Sequence, residues 1–369
     1  MALNRACLVV GMSITGLVAS ALTGCGSSPG TATTGSGGNG GDASGTTTTA
    51  GSAAGGASGT TTGSATTTTG GATTTTGGGS TGSGPSLGGC ALFPADNPWN
   101  LDISGYPVDP KSAAYIASIG AATGLHPDFG APYQGAPNGI PYVIVPAAQP
   151  KVDILFTDSP DESEPGPYPV PPDAPIEGGP QGDGDRHVLV LQQGTCTLFE
   201  MFASFPKGAT WEAGSGAIWH LDKNEIRPDT WTSADAAGLA ILPGLVRYDE
   251  AVEAMEIKHA IRVTVSGAQK AFIYPASHSD GAAGSDPSAP PMGLRLRLQA
   301  GFDVTPFSAP VQVMLKAMKK YGLMVADSGS NWFISGVPDD RWNDDVLHEL
   351  SMVAGSNFEA VTTGAVHPY

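Results

Sequence analysis

The chain has 369 residues, among them 52 Gly and 31 Pro, and its 34 acidic against 17 basic side chains leave a formal net charge of -17. Such a balance lacks the basic footprint that a nucleic-acid partner requires, and it favours solubility. Length is a poor guide to domain count here, because only Arg5 and Asp42 among the charged residues precede Cys90, so the net charge belongs to the stretch from residue 90 onward.

Arg5 is followed by an apolar run from Ala6 to Ala21, the shape of a secretory signal. The run is short for a bilayer span and contains several Gly, Ser and Thr. It ends in Leu22-Thr23-Gly24-Cys25, which resembles the bacterial lipobox. That resemblance implies a lipoprotein: residues 1–24 are a signal peptide, and Cys25 becomes a diacylated, then N-acylated, first residue held in a membrane. Gly26 and Ser27 resemble sorting to the outer membrane or cell surface. From Cys25 to residue 89 the chain is nearly all Gly, Ser, Thr and Ala. It cannot bury enough apolar surface to offset its ordering entropy, so a flexible tether is expected, reaching roughly 40–50 Å.

With Cys7 in the signal and Cys25 carrying lipid, Cys90 and Cys196 are the remaining thiols. In an exported protein they are expected to pair, the alternative being a buried, apolar Cys196. Residues 90–369 hold no second Gly/Ser linker and are expected to form one mainly β domain, an antiparallel β-sandwich or jelly roll with a few short peripheral helices.

Asp109 as cap and Pro110 at the first position predict a short helix with Ala113, Ile116 and Ala117 on one face, stopped by Gly120. Ile140–Val145 and Val152–Phe156, separated by Pro146 and Pro150, predict an antiparallel meander. The acidic, proline-rich loop 158–185 lacks a calcium-loop spacing, and no metal site is assigned. His187–Leu191 and Cys196–Phe205 predict a hairpin whose second strand is apolar on both faces and therefore central. Glu200 is the exception on that strand. It is expected to line a polar cleft or to meet an arginine.

Gly216–Leu221 predicts a strand carrying Trp219. Thr232 or Ser233 could cap one helical turn through Ala237, ended by Gly238, and Ile241-Leu242-Pro243-Gly244 reads as a buried corner. Lys258–Val265 predicts a strand with His259 on one face and Arg262 on the other. Leu294–Leu298 sets Arg295 and Arg297 side by side, where they need carboxylate company from the protein or from an anionic ligand. The loop His278-Ser279-Asp280 could border a cleft. A helix from Phe307 to Tyr321 shows an apolar stripe of Val311, Met314, Leu315 and Met318. Leu323–Ala326 and Asn331–Ser335 predict a hairpin around Asp327-Ser328-Gly329, and Asp344–Val353 a last helix.

No Gly-x-Ser-x-Gly elbow, His-Glu-x-x-His or phosphate-binding glycine loop is present, and the histidines are scattered. No cofactor is called for. The stretches Trp-Thr-Ser-Ala-Asp-Ala-Ala-Gly at 231–238, Leu-Pro-Gly-Leu-Val-Arg-Tyr-Asp-Glu at 242–250 and Ala-Asp-x-Gly-Ser-Asn-Trp at 326–332 resemble an uncharacterised family of secreted bacterial proteins. That resemblance implies a secreted β-rich domain and carries no activity. Aromatic residues suited to sugar faces and a surplus of carboxylates point to a cell-surface domain acting on or binding polysaccharide. As a glycoside hydrolase it would use carboxylates among Glu200, Asp249, Glu250 and Glu256. As a lyase it would use His259 or Tyr248 as base and Arg262, Arg295 or Arg297 to neutralise a uronate. Arg247 and Trp219 complete the candidate substrate contacts. The competing reading is a non-catalytic carbohydrate-binding or adhesion lipoprotein.

Overall fold

Two sheets carry most of the strand residues and feed one hydrophobic core. The computed structural model describes residues 84–369; residues 1–24, expected to be a signal peptide, Cys25 and the stretch 26–83 lie outside the described residues. One sheet has the order Ser215–His220, Thr197–Phe202, Val188–Gln192, Tyr142–Val145. The larger has the order Phe358–Val361, Arg295–Leu298, Leu323–Ser328, Ile261–Val265, Phe333–Ser335, His126–Asp128. Leu189, Leu191 and Leu198 from the first and Ile261, Val263 and Leu296 from the second pack in the same core. Each such side chain contributes about 1.5–3 kcal/mol by leaving water, which is what holds the layers together. The result is a mainly β, sandwich-like domain with short helices at its edges.

The smaller sheet is buried on its other face as well. Val188, Val190, Phe199 and Met201 pack there against Tyr168, Val170 and Trp211, which explains why Thr197–Phe202 is apolar on both sides. It pairs with Val188–Gln192 as the expected hairpin. Phe205, expected to extend that strand, is instead exposed on the separate strand Phe205–Lys207.

Pairing within the sheets is mixed rather than purely antiparallel. Tyr142–Val145 runs parallel to Val188–Gln192, and Ile154–Phe156 runs parallel to Thr210–Ala213 in another small sheet. The expected meander of these two segments is therefore not formed. Nor do Leu323–Ser328 and Phe333–Ser335 form a hairpin: they flank Ile261–Val265 on its two sides. That strand is buried at all five positions, and a strand with both faces covered takes the central place.

Helix Ser112–Ile119 follows Asp109, whose Oδ1 accepts the Lys111 N–H at 2.8 Å. Its buried face is Ser112, Tyr115, Ile116 and Ile119, since Tyr and Ile remove far more apolar area from water than Ala113 or Ala117. Helix Ala309–Lys320 buries the expected Val311, Met314, Leu315 and Met318. A disulfide joins Cys90 to Cys196. Residues 84–89, which composition groups with the tether, belong to the folded unit: Ser86–Leu87 pairs with Cys90–Ala91.

Candidate functional site

A register slip builds the floor of a cleft lined by carboxylates. Ile261–Val265 and Leu323–Ser328 run parallel with Val263 opposite Val325, yet Thr264 lies opposite Asp327. The extra residue, Ala326, turns Asp327 onto the face that carries Arg262 and Thr264, where unbroken alternation would have placed Ala326. The Ala326 carbonyl accepts the Ala237 N–H at 3.0 Å, and this docks the segment 231–238 against the sheet.

That segment is a polar turn, not the helical turn its sequence suggests. Ser233 Oγ accepts the Asp235 N–H at 2.9 Å and donates to the Leu239 carbonyl at 2.6 Å, so the hydroxyl competes with helical hydrogen bonding. Gly238 closes the turn at φ +69, where a Cβ would lie 2.2 Å from Ser277 Oγ. Asp235 is thereby driven inward and fully buried.

Arg262 meets Asp235 through two bonds, Nε to Oδ2 at 3.0 Å and Nη2 to Oδ1 at 2.8 Å. The same Nη2 also donates to Asp327, and Nη1 donates to Ser335 Oγ at 2.6 Å. One guanidinium thus serves two carboxylates. Burial, with the Asp235 charge added, pushes the Asp327 carboxyl up to about 7, and Arg262 offsets this only in part. Burial likewise raises Asp235 against the pull of Arg262.

His187, at the start of the central hairpin, lies 2.6 Å through Nδ1 from Glu177 and 3.0 Å through Nε2 from the Ala234 carbonyl. Burial lowers its pKa, but the charge of and hydrogen bond to Glu177 outweigh that and carry it to about 9. Both ring nitrogens face acceptors, so the ring is an imidazolium. Glu177, Asp185 and His187 bring ligand atoms within 4.8 Å of one another.

Above this floor opens a cleft of about 250 Å³ lined by Asp158, Asp185, Asp235, Asp280 and Asp327, with Phe202 as an apolar wall and His278 at its edge. Asp158 and Asp185 come from the two ends of the acidic loop. Asp280 accepts a hydrogen bond from Ser328 Oγ at 2.5 Å, so the loop 278–280 does border a cleft. Burial raises the Asp185 carboxyl. The site therefore combines a carboxyl that holds its proton near neutrality with further carboxylates around one small space.

Among the sequence candidates, only Arg262 belongs to this cluster. Glu200 neither lines a cleft nor meets an arginine. It is fully buried and accepts the N–H groups of Ile241 and Leu242, each at 2.9 Å, and the Trp219 indole at 3.0 Å. Burial pushes its pKa up to about 7 against those donors. It pins the 241–244 corner to the central strand, and Trp219, buried against Phe93, offers no face to a ligand.

Arg247, Glu250 and His259 form a separate buried network, with Arg247 Nη2 at 2.7 Å and His259 Nε2 at 3.0 Å from the two Glu250 oxygens. Asp249 touches Arg247 Nε at 3.2 Å, and Tyr248 packs edge-on against Trp342. None of these lines the cleft. Arg295 donates to the carbonyls of Pro98 and Tyr321. Arg297 pairs with Glu359 at 2.6 Å and donates to the carbonyls of Ile103, Ser104 and Tyr106. Their partners come from the protein, not from a ligand. The carboxylates that sequence reasoning passed over, Asp235 and Asp327, each stand in an apolar context, and both fall inside the stretches 231–238 and 326–332. Comparison with family models, with curated proteins and with solved structures returns no match.

Proposed function

We propose that the protein is a glycoside hydrolase working from the cleft between the 231–238 turn and the Asp327 strand end, and that it is lipid-anchored through Cys25. One observation carries the catalytic reading: Asp327 opens on the cleft with its carboxyl held up to about 7, as a general acid at neutral pH needs. In this reading protonated Asp327 gives its proton to the leaving glycosidic oxygen. Asp280, exposed at the rim beside Ser328, supplies the second carboxylate that activates water or attacks the sugar. Hydrolysis is favoured over lyase chemistry because Arg262, Arg295 and Arg297 are each engaged by protein acceptors, and a cleft ringed by carboxylates repels a uronate.

The test is a panel of neutral and acidic polysaccharides, read by reducing ends and by the absorbance of unsaturated uronates. Asp327→Asn is expected to lower turnover by roughly 10²–10⁴-fold while the protein still unfolds in one cooperative transition. Full activity in that variant would overturn the assignment. So would unsaturated products, or glycan binding without cleavage, the last favouring a binding module.

A further inference from the structure

The cleft is smaller than the roughly 300 Å³ at which ordinary ligand pockets begin, so it takes one compact unit and leaves the rest of a chain outside. What lies outside, next to His278, is a run of partly exposed aromatic rings. Tyr369 meets His278 edge-on with ring centroids 4.8 Å apart. The strand His367–Pro368 pairs antiparallel with Gln269–Phe272, and the Tyr369 N–H continues that ladder to the Lys270 carbonyl. His367 and Tyr369 are two residues apart on this extended segment and so lie on one side. His367 in turn packs against Tyr274 at 4.5 Å.

Two aromatic pairs, His278 with Tyr369 and His367 with Tyr274, are thus joined by the segment 367–369. Tyr274 and Tyr369 are 38% and 39% exposed, so neither ring is spent on the core. Tyr274 is held in place by its hydroxyl, which donates to Asp229 at 2.8 Å. The Lys270 ammonium lies over one face of the Tyr369 ring, 5.3 Å from its centroid. The inner end of the run is His278, which itself lines the cleft.

We infer that these rings form a stacking rail that binds the extended part of a neutral glycan chain whose terminal unit enters the cleft. The inference rests on the glycan reading above. Flat apolar ring faces edged with hydroxyls match the apolar faces and hydroxyl rims of pyranose units.

The experiment measures binding and cleavage of linear neutral oligosaccharides, from disaccharide to hexasaccharide in β-1,4- and β-1,3-linked glucose and mannose series, by the intact protein. Affinity is expected to rise with chain length. Tyr274→Ala and Tyr369→Ala should each weaken hexasaccharide binding by roughly three- to tenfold and leave the disaccharide unchanged. Tyr274→Phe and Tyr369→Phe keep the ring and should retain affinity, which separates stacking from a folding defect. Length-dependent loss without any cleavage leaves the rail standing and overturns the hydrolase. Cleavage with equal affinity for long and short chains, or unaltered hexasaccharide binding in both Ala variants, overturns the rail alone. No binding by the unsubstituted protein overturns both.

Discussion

One guanidinium cannot neutralise two buried carboxylates, so the Asp235, Arg262 and Asp327 group carries an excess negative charge that a proton on Asp327 relieves. Glu200 carries a second raised carboxyl, out of reach of any substrate. For both, the folded pKa of about 7 lies above the ordinary values of 3.8 and 4.5. Each therefore contributes stability that is complete below its unfolded pKa and is lost as pH rises through about 7. His187, raised from 6.5 to about 9, behaves the same way at higher pH, its contribution fading as pH passes 9. Glu177 and Glu250 are lowered, because their pairing with His187 and with His259 and Arg247 outweighs burial. Their contribution is lost as pH falls through their folded values. Stability is thus expected to peak in mildly acidic solution. Glu200→Gln removes the titration but sets an NH2 donor against the N–H groups that Glu200 accepts, so it should be less stable than the unsubstituted protein near pH 5 by about 1–3 kcal/mol. It should then escape a decline of about 3 kcal/mol toward pH 8. Urea unfolding across that pH range decides it, and parallel curves would show that Glu200 does not titrate there.

At the scale of elements, the site depends on two local irregularities, the Ala326 bulge and the Ser233 to Gly238 turn. Gly238→Ala forces a side chain into φ +69 and within 2.2 Å of Ser277 Oγ. It is expected to cost about 2 kcal/mol or more and to displace Asp235 along with the turn, measured by denaturant unfolding and by oligosaccharide affinity. An Ala variant as stable as the parent would mean the turn is not locked. These features also show where sequence reading stopped. The strands, the 188–202 hairpin and the amphipathic 309–320 helix follow from periods of two and 3.6 and could be read directly. The bulge has no such signal, because it arises from pairing between segments some sixty residues apart, and Ser-x-Asp with a closing Gly suits a helix start as well as this turn. For the site, adjacency in sequence misled. Arg247 to Glu250 stand together in the chain, but Arg247 turns inward to Glu250 and none of the four lines the cleft, while Asp158, Asp235, Asp280 and Asp327 are scattered and meet only through the fold. The 278–280 loop borders the cleft as its composition suggests, whereas Arg262, expected to meet a substrate, is taken up by Asp235, Asp327 and Ser335. Glu200 was correctly singled out as a carboxylate needing partners, but the partners are backbone N–H groups of a corner, which no residue type announces.

At the scale of the whole molecule, the described fold begins in a hairpin, Ser86–Leu87 with Cys90–Ala91, that Cys196 fastens to the edge of the central strand pair. A disulfide closing a separation of 106 residues is worth up to about 4–5 kcal/mol in the chain-entropy picture. Any load arriving through the chain before Gly84 therefore falls on this clamp, and Gln193 adds to it by donating to the Gly88 carbonyl at 2.9 Å. The cleft lining includes no residue of the clamp, so the proposed anchor and the proposed site can be tested separately. If Cys25 carries the proposed lipid, Cys25→Ser should move the protein from the membrane fraction to the soluble fraction. Its unfolding transition and its oligosaccharide affinity should stay unchanged. Persistence of the Cys25→Ser protein in salt-washed membranes would refute the lipid anchor, and a change in unfolding or affinity would refute the separation of anchor from site.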